Sequence, residues 1–204
     1  MFKRIQTYCF LVLVFTLSAC GQDKRPILGD TDFQRDLNET FKDATKSPLK
    51  EKDRKNFGGL DFFKFDSTYV VTATLERTPN EKVFKMKTTT DRRPEYSKFG
   101  VARFELNGKQ HELAVYENRE YETLKGYEDP LFIPFLDDTN GDESYGGGRY
   151  LNVDIPEGNT LIIDFNTAYN PYCAYNEKYS CPIVPRDNYV QTEVRAGVKA
   201  WVKK

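Results

Sequence analysis

Asn107-Gly108 is the dipeptide that most restricts this chain, because it stands between two runs of alternating apolar and polar residues. A two-residue type I′ turn needs positive φ at both central positions, and Asn-Gly reaches that conformation at the least cost. The turn fixes a register. Leu106 is placed opposite Lys109, Phe104 opposite His111 and Ala102 opposite Leu113 on one face, with Arg103 opposite Glu112 and Val101 opposite Ala114 on the other. The Arg103/Glu112 pair adds a few tenths of a kcal/mol in favour of that register. The only histidine, His111, then shares a face with Phe104, Leu113 and Val115, which predicts a partly buried structural imidazole rather than a catalytic one.

The same period of two recurs along the chain. It predicts strands over Asp61 to Phe65, Tyr69 to Glu76, Lys82 to Thr89, Lys98 to Leu106, Lys109 to Glu117, Leu131 to Leu136, Arg149 to Ile155, Thr160 to Phe165 and Tyr189 to Val202. Two helices precede them. The first carries Phe33, Leu37 and Phe41 on one stripe behind N-cap candidates Asp30, Thr31 and Asp32. The second starts at Ser47-Pro48 and runs to Phe57, where Gly58-Gly59 stops it. The expected fold is all-β, an antiparallel barrel or barrel-like sandwich of about nine strands with one or two short N-terminal helices; α+β, with the helices on one open sheet, is the alternative.

At the N-terminus, Lys3 and Arg4 precede a mostly apolar run from Phe10 to Leu17, too short to span a bilayer, for which about 20 residues are needed. Leu17-Ser18-Ala19-Cys20 follows directly and resembles the bacterial lipobox. The resemblance implies a signal peptide over 1–19, acylation of Cys20 as the link to a lipid bilayer, a tether over 20–29 and a single domain over 30–204. Gly21-Gln22 lacks the aspartate that marks inner-membrane retention in enterobacterial lipoproteins, which favours the outer membrane facing the periplasm. Cys173 and Cys181 are then the remaining thiols. An oxidising compartment makes a disulfide between them the expected state, worth about 2.5 kcal/mol for so short a ring, beside the alternatives of a metal ligand pair or a reactive thiol.

Formal net charge is −1, which gives no electrostatic reason for nucleic-acid binding. Chemistry signals are few. One histidine excludes two-histidine metal sites, and no G-x-S-x-G, P-loop or G-x-G-x-x-G string occurs in a fitting context. Asp137-Asp138-Thr139-Asn140-Gly141-Asp142-Glu143 collects four carboxylates, but aligning Gly141 with the EF-hand glycine puts Leu136 and Gly147 at the first and last ligand positions, which excludes that loop. No metal or cofactor is expected.

Several strings stand together between Ser47 and Lys199: Ser47-Pro48-Leu49, Phe57-Gly58-Gly59-Leu60, Leu131-Phe132-Ile133-Pro134-Phe135 with Asp137, Tyr145-Gly146-Gly147-Gly148-Arg149-Tyr150, Asp164-Phe165-Asn166, and Ala168 through Asn176 with Cys181-Pro182. In these the chain, from about Ser47 to Lys199, resembles the family of domain of unknown function 1684, found in secreted and lipid-anchored bacterial proteins. It implies no particular reaction. Glycines beside Arg149 let backbone approach an anion, and glycine, Asn and Tyr concentrate at strand ends. The expectation is an envelope lipoprotein whose loops 137–150 and 164–181 converge on a small polar or anionic ligand through Asp137, Thr139, Tyr145, Arg149, Tyr150, Asp164, Asn166, Tyr169 and Asn170. Two alternatives stand beside it: a hydrolase using carboxylates such as Asp137 and Asp164, and a structural interaction lipoprotein. No catalytic residue is assigned.

Overall fold

The computed structural model describes residues 29–120 and 130–202. The leader, Cys20 and nearly all of the tether expected from the sequence lie outside them. Helix α1 (Asp32–Lys42) starts behind Thr31, whose Oγ accepts from Gln34 N. Phe41 is buried, while Phe33 and Leu37 on the same stripe are half-buried. Helix α2 is shorter than expected and covers only Glu51–Lys55. Ser47 does not cap it: its hydroxyl accepts from Leu49 N two residues on, which makes a local turn and holds Pro48 and Leu49 in the core.

Eight strands follow: β1 (Val70–Arg77), β2 (Phe84–Lys85), β3 (Glu95–Leu106), β4 (Lys109–Asn118), β5 (Leu131–Asp137), β6 (Arg149–Val153), β7 (Thr160–Asp164) and β8 (Tyr189–Val190). The sheet order is β6-β5-β4-β3-β1-β7, with β2 beside β3 and β8 beside β5. All pairs are antiparallel except β5 with β8. The fold is therefore the expected β domain with short helices, curled into a half-barrel rather than closed. Phe165, just past β7, meets Phe104 of β3 and Phe135 of β5 at ring-centroid distances of 5.7 and 5.2 Å, which marks how far the sheet curls.

The β3–β4 hairpin has the register set by Asn107-Gly108, and both residues have positive φ, 52° and 72°. His111 stacks on Phe104 at 5.7 Å and is buried. Arg103 pairs with Glu112 at 3.3 Å and also with Glu76 on β1. A bulge between Lys98 and Gly100 interrupts the ladder. The extra residue inverts the faces, so Tyr96 points away from the side that holds Ala102 and Phe104.

That inversion helps to cover both faces of the sheet. Leu75, Ala102, Phe104, Leu113, Leu131, Ile133, Phe135 and Leu151 fill the concave side. Met86, Tyr96, Tyr116, Phe132, Tyr150 and Val184 form a second cluster on the convex side. β5 belongs to both, and its unbroken apolar run Leu131 to Phe135 is buried on both faces.

Three expected strands shrink. Asp61 to Phe65 contributes one bridge, Phe62 to Val198, and Lys82 to Thr89 is strand only at Phe84–Lys85. Of Tyr189 to Val202, only the first two residues are strand. Beyond them the chain bonds a different segment at each step, with Val198 N donating to Ala168 O, Lys199 N to Asp61 O and Ala200 N to Glu143 O. No single neighbour offers it a ladder.

β4 and β5 share one ladder pair, Tyr116 with Phe132. Above it, buried Asn188 inserts its amide: Oδ1 accepts from Ala114 N, and Nδ2 donates to Ala114 O and Pro134 O, all at 2.8 to 2.9 Å. The side chain substitutes for the missing backbone ladder. Replacing Asn188 with Ala strands these buried groups, and stability should fall by about 2–4 kcal/mol in urea denaturation.

Candidate functional site

Residues grouped together by the sequence reading separate onto two faces. Asp137 and Arg149 sit on the concave side, in phase with Phe135 and Leu151. Both are buried, Arg149 completely. Arg149 Nη2 meets Asp137 Oδ2 at 2.8 Å and donates to Val194 O at 2.7 Å, while Nη1 donates to Ala196 O. Its guanidinium lies over the rings of Phe135 and Phe63 at 5.3 and 5.7 Å.

Asp137 is equally committed. Oδ1 accepts from Thr139 N, Thr139 Oγ1 and Val194 N, and Oδ2 also takes Asn140 Nδ2. Burial pushes the Arg149 pKa down, and Asp137 opposes that shift; the ion pair and two carbonyls keep the group charged. Gly148, with φ of +86°, admits the chain to β6 where a Cβ would stand 2.7 Å from Phe135 O. The glycines beside Arg149 thus serve a tight entry into a strand. Removing one member of a buried pair leaves the other uncompensated, so Arg149→Ala should cost about 3–5 kcal/mol in urea denaturation.

Asp164 and Asn166 are also spoken for, and Asn170 is bonded through its NH₂ group while its buried Oδ1 has no partner among the described residues. Asp164 Oδ1 accepts from Asn166 N and Nδ2, and Asn166 accepts from Asp66 N while donating to Asp66 O. Buried Asn170 donates to Tyr175 OH and Lys199 O. Arg149 therefore pairs with Asp137 and not with Asp164.

Tyr150 and Tyr169 lie on the convex face, where they border a cleft of about 720 Å³. Strand alternation supplies its floor: Tyr96, Asn118, Phe132, Tyr150 and Asn152 are cross-strand neighbours on one face of β3 to β6. Its walls are Phe33 and Leu37 of α1, Pro130, and the segments 169–172 and 179–182. Rings meet in sequence across the floor, Tyr96 to Phe132 at 5.8 Å, Phe132 to Tyr150 at 4.8 Å and Tyr150 to Tyr169 at 5.8 Å. Among the described residues, the lining holds no Asp, Glu, Lys or Arg.

Tyr150 OH donates to Pro182 O, joining floor to wall, and burial raises its phenol pKa. Tyr169 OH donates to Asn152 Oδ1 at 3.2 Å, and Asn118 Oδ1 accepts from Glu120 N. Those bonds use the amide oxygens, and the NH₂ group of each amide carries the donors. The residues missed by the sequence reading are Tyr96, Asn118, Phe132, Asn152, Tyr172 and Tyr179. The i, i+2 spacing of Tyr150 and Asn152 was their only signal.

Cys173 and Cys181 are free thiols rather than the expected disulfide. They are close: Cys173 N donates to Cys181 Sγ at 3.1 Å. The Cys181 side chain, with the hydroxyls of Thr89 and Tyr145, hydrogen-bonds the Cys173 sulfur and lowers its pKa to about 7. The thiolate is the reactive form, so alkylation of Cys173 by iodoacetamide should rise with pH and reach half its maximum near pH 7. Among the described residues, no cluster of three or more His, Cys, Asp or Glu is placed to hold a metal, and no helix is long and apolar enough to cross a membrane.

These features can be set beside known proteins. The chain matches the family described as Protein of unknown function (DUF1684) over residues 55–199, and it belongs to that family. It is similar to the solution NMR structure of the uncharacterized protein from gene locus rrnAC0354 of Haloarcula marismortui, with 31% identity and a TM-score of 0.64. That likeness covers 81% of this chain and 89% of that one. No curated protein matches the chain.

Proposed function

We propose that the protein is a lipid-anchored binding module of the cell envelope, and that its ligand site is the tyrosine-lined cleft on the convex face of the sheet. The observation that carries this is a cleft of about 720 Å³ walled by aromatic rings and proline, with the amides of Asn118 and Asn152 in its lining and, among the described residues, no charged side chain. Rings offer flat apolar faces, and Asn118 and Asn152 offer donors. A small, neutral ligand with both a C–H face and hydroxyl groups satisfies the two together, as a saccharide ring does. The anionic alternative loses its principal cation, because Arg149 is committed to Asp137 inside the half-barrel.

Anchoring through Cys20 rests on the Leu17-Ser18-Ala19-Cys20 signature, and residence at the outer membrane on Gly21-Gln22 standing where a retention aspartate would be. A carboxylate hydrolase has less support, since Asp137 and Asp164 are held by internal hydrogen bonds and neither lines the cleft. The test is an NMR titration with a panel of neutral mono- and disaccharides. Resonances of Asn118, Asn152, Tyr169 and Tyr172 should shift together, Tyr172→Ala should weaken binding at least tenfold, and raising salt from 50 to 500 mM should leave affinity unchanged. Shifts elsewhere only, or affinity that collapses with salt, would overturn the reading.

A further inference from the structure

We propose that Cys173 and Cys181 form a thiol–disulfide exchange site, in which Cys173 takes up a small disulfide from solvent and Cys181 closes the bond that staples the loop walling the cleft. Two free thiols lie within hydrogen-bond contact, and their surroundings differ in the way such a pair requires. Cys173 is half-exposed, and its thiolate is stabilised first by the Cys181 side chain beside it and then by the hydroxyls of Thr89 and Tyr145. Cys181 is buried, and its thiol is held protonated mainly by its bond to Cys173, then by burial.

The backbone around Cys181 is fixed. Its N–H donates to Thr89 Oγ1 at 3.1 Å, its carbonyl accepts from Thr89 N at 2.9 Å, and Thr88 bridges Pro182. Cys173 is the middle residue of the short 3-10 turn Tyr172–Ala174, which opens at Pro171. The attacking sulfur is therefore on the accessible side, and the resolving sulfur waits on an anchored segment.

The steps balance. The Cys173 thiolate attacks one sulfur of a small disulfide, breaks that S–S bond and releases one thiol, leaving a mixed disulfide on Cys173. With the Cys173 thiolate gone, the interaction that kept the Cys181 proton in place disappears. Cys181 gives its proton to solvent, attacks the Cys173 sulfur and expels the second thiol. Two protein thiols are oxidised and one small disulfide is reduced to two thiols. The closed bond ties 171–172 to 179–182, both of which line the cleft.

The closing experiment reads sulfur alone, so its outcome is independent of whether the cleft binds a saccharide. Full-length protein is incubated with glutathione disulfide at pH 7.5, quenched with acid and mapped by mass spectrometry at Cys173 and Cys181. Wild type should yield a peptide pair linked between the two cysteines, with no glutathione retained. Cys181→Ser should retain one glutathione on Cys173, while Cys173→Ser should react at Cys181 at least tenfold more slowly. Wild type that keeps both thiols, or that retains glutathione on Cys173 without closing, overturns the proposal. So does equal reactivity of the two single variants.

Discussion

The buried pair of Arg149 and Asp137 is the interaction on which the rest of the architecture depends. A half-barrel has an open side, and here that side is closed by irregular chain rather than by strands. Arg149 reaches inward from β6 and takes the carbonyls of Val194 and Ala196, while Asp137 from β5 takes Val194 N and orders Thr139 and Asn140. One ion pair thus gathers β5, β6, the acidic turn and the C-terminal segment. Such a pair adds little over a well-packed apolar substitute but is severe to break, so it acts as a constraint on arrangement more than as a source of stability.

Once the concave side is committed to that closure, recognition is left to the convex face. A sheet presents alternate residues to its two sides, so the strands that bury Phe135 and Leu151 inward must present Phe132, Tyr150 and Asn152 outward. The bulge before Gly100 turns Tyr96 to the same side. Helix α1 and segments 169–172 and 179–182 then stand over this face without filling it. The cleft follows from strand periodicity plus cover that is incomplete.

Much of this was legible in the residues, and the failures have identifiable causes. The hairpin register was readable because Asn107-Gly108 is a local device whose geometry needs no tertiary partner. Arg149 among glycines was ambiguous, since the same residues suit an anion site and a tight entry into a buried strand; what decides is whether carbonyls from 45 and 47 residues away arrive to satisfy it. The C-terminal run has the period of a strand, yet its backbone partners Asp138, Ala168, Asp61 and Glu143 belong to four different segments, which no period reveals. Asn188 gave no signal at all, because its role exists only in the gap between β4 and β5.

The sequence by itself determined the β class, the short helical start and the central hairpin with its register, because each follows from turn chemistry or hydrophobic period within a few residues. Only the tertiary structure decided that Asp137 belongs to Arg149, that both leave the surface, and that aromatic rings and asparagines from four strands meet on the opposite side. Those outcomes depend on the hand and extent of the sheet's curl and on contacts between residues far apart in the chain, and a linear pattern carries neither.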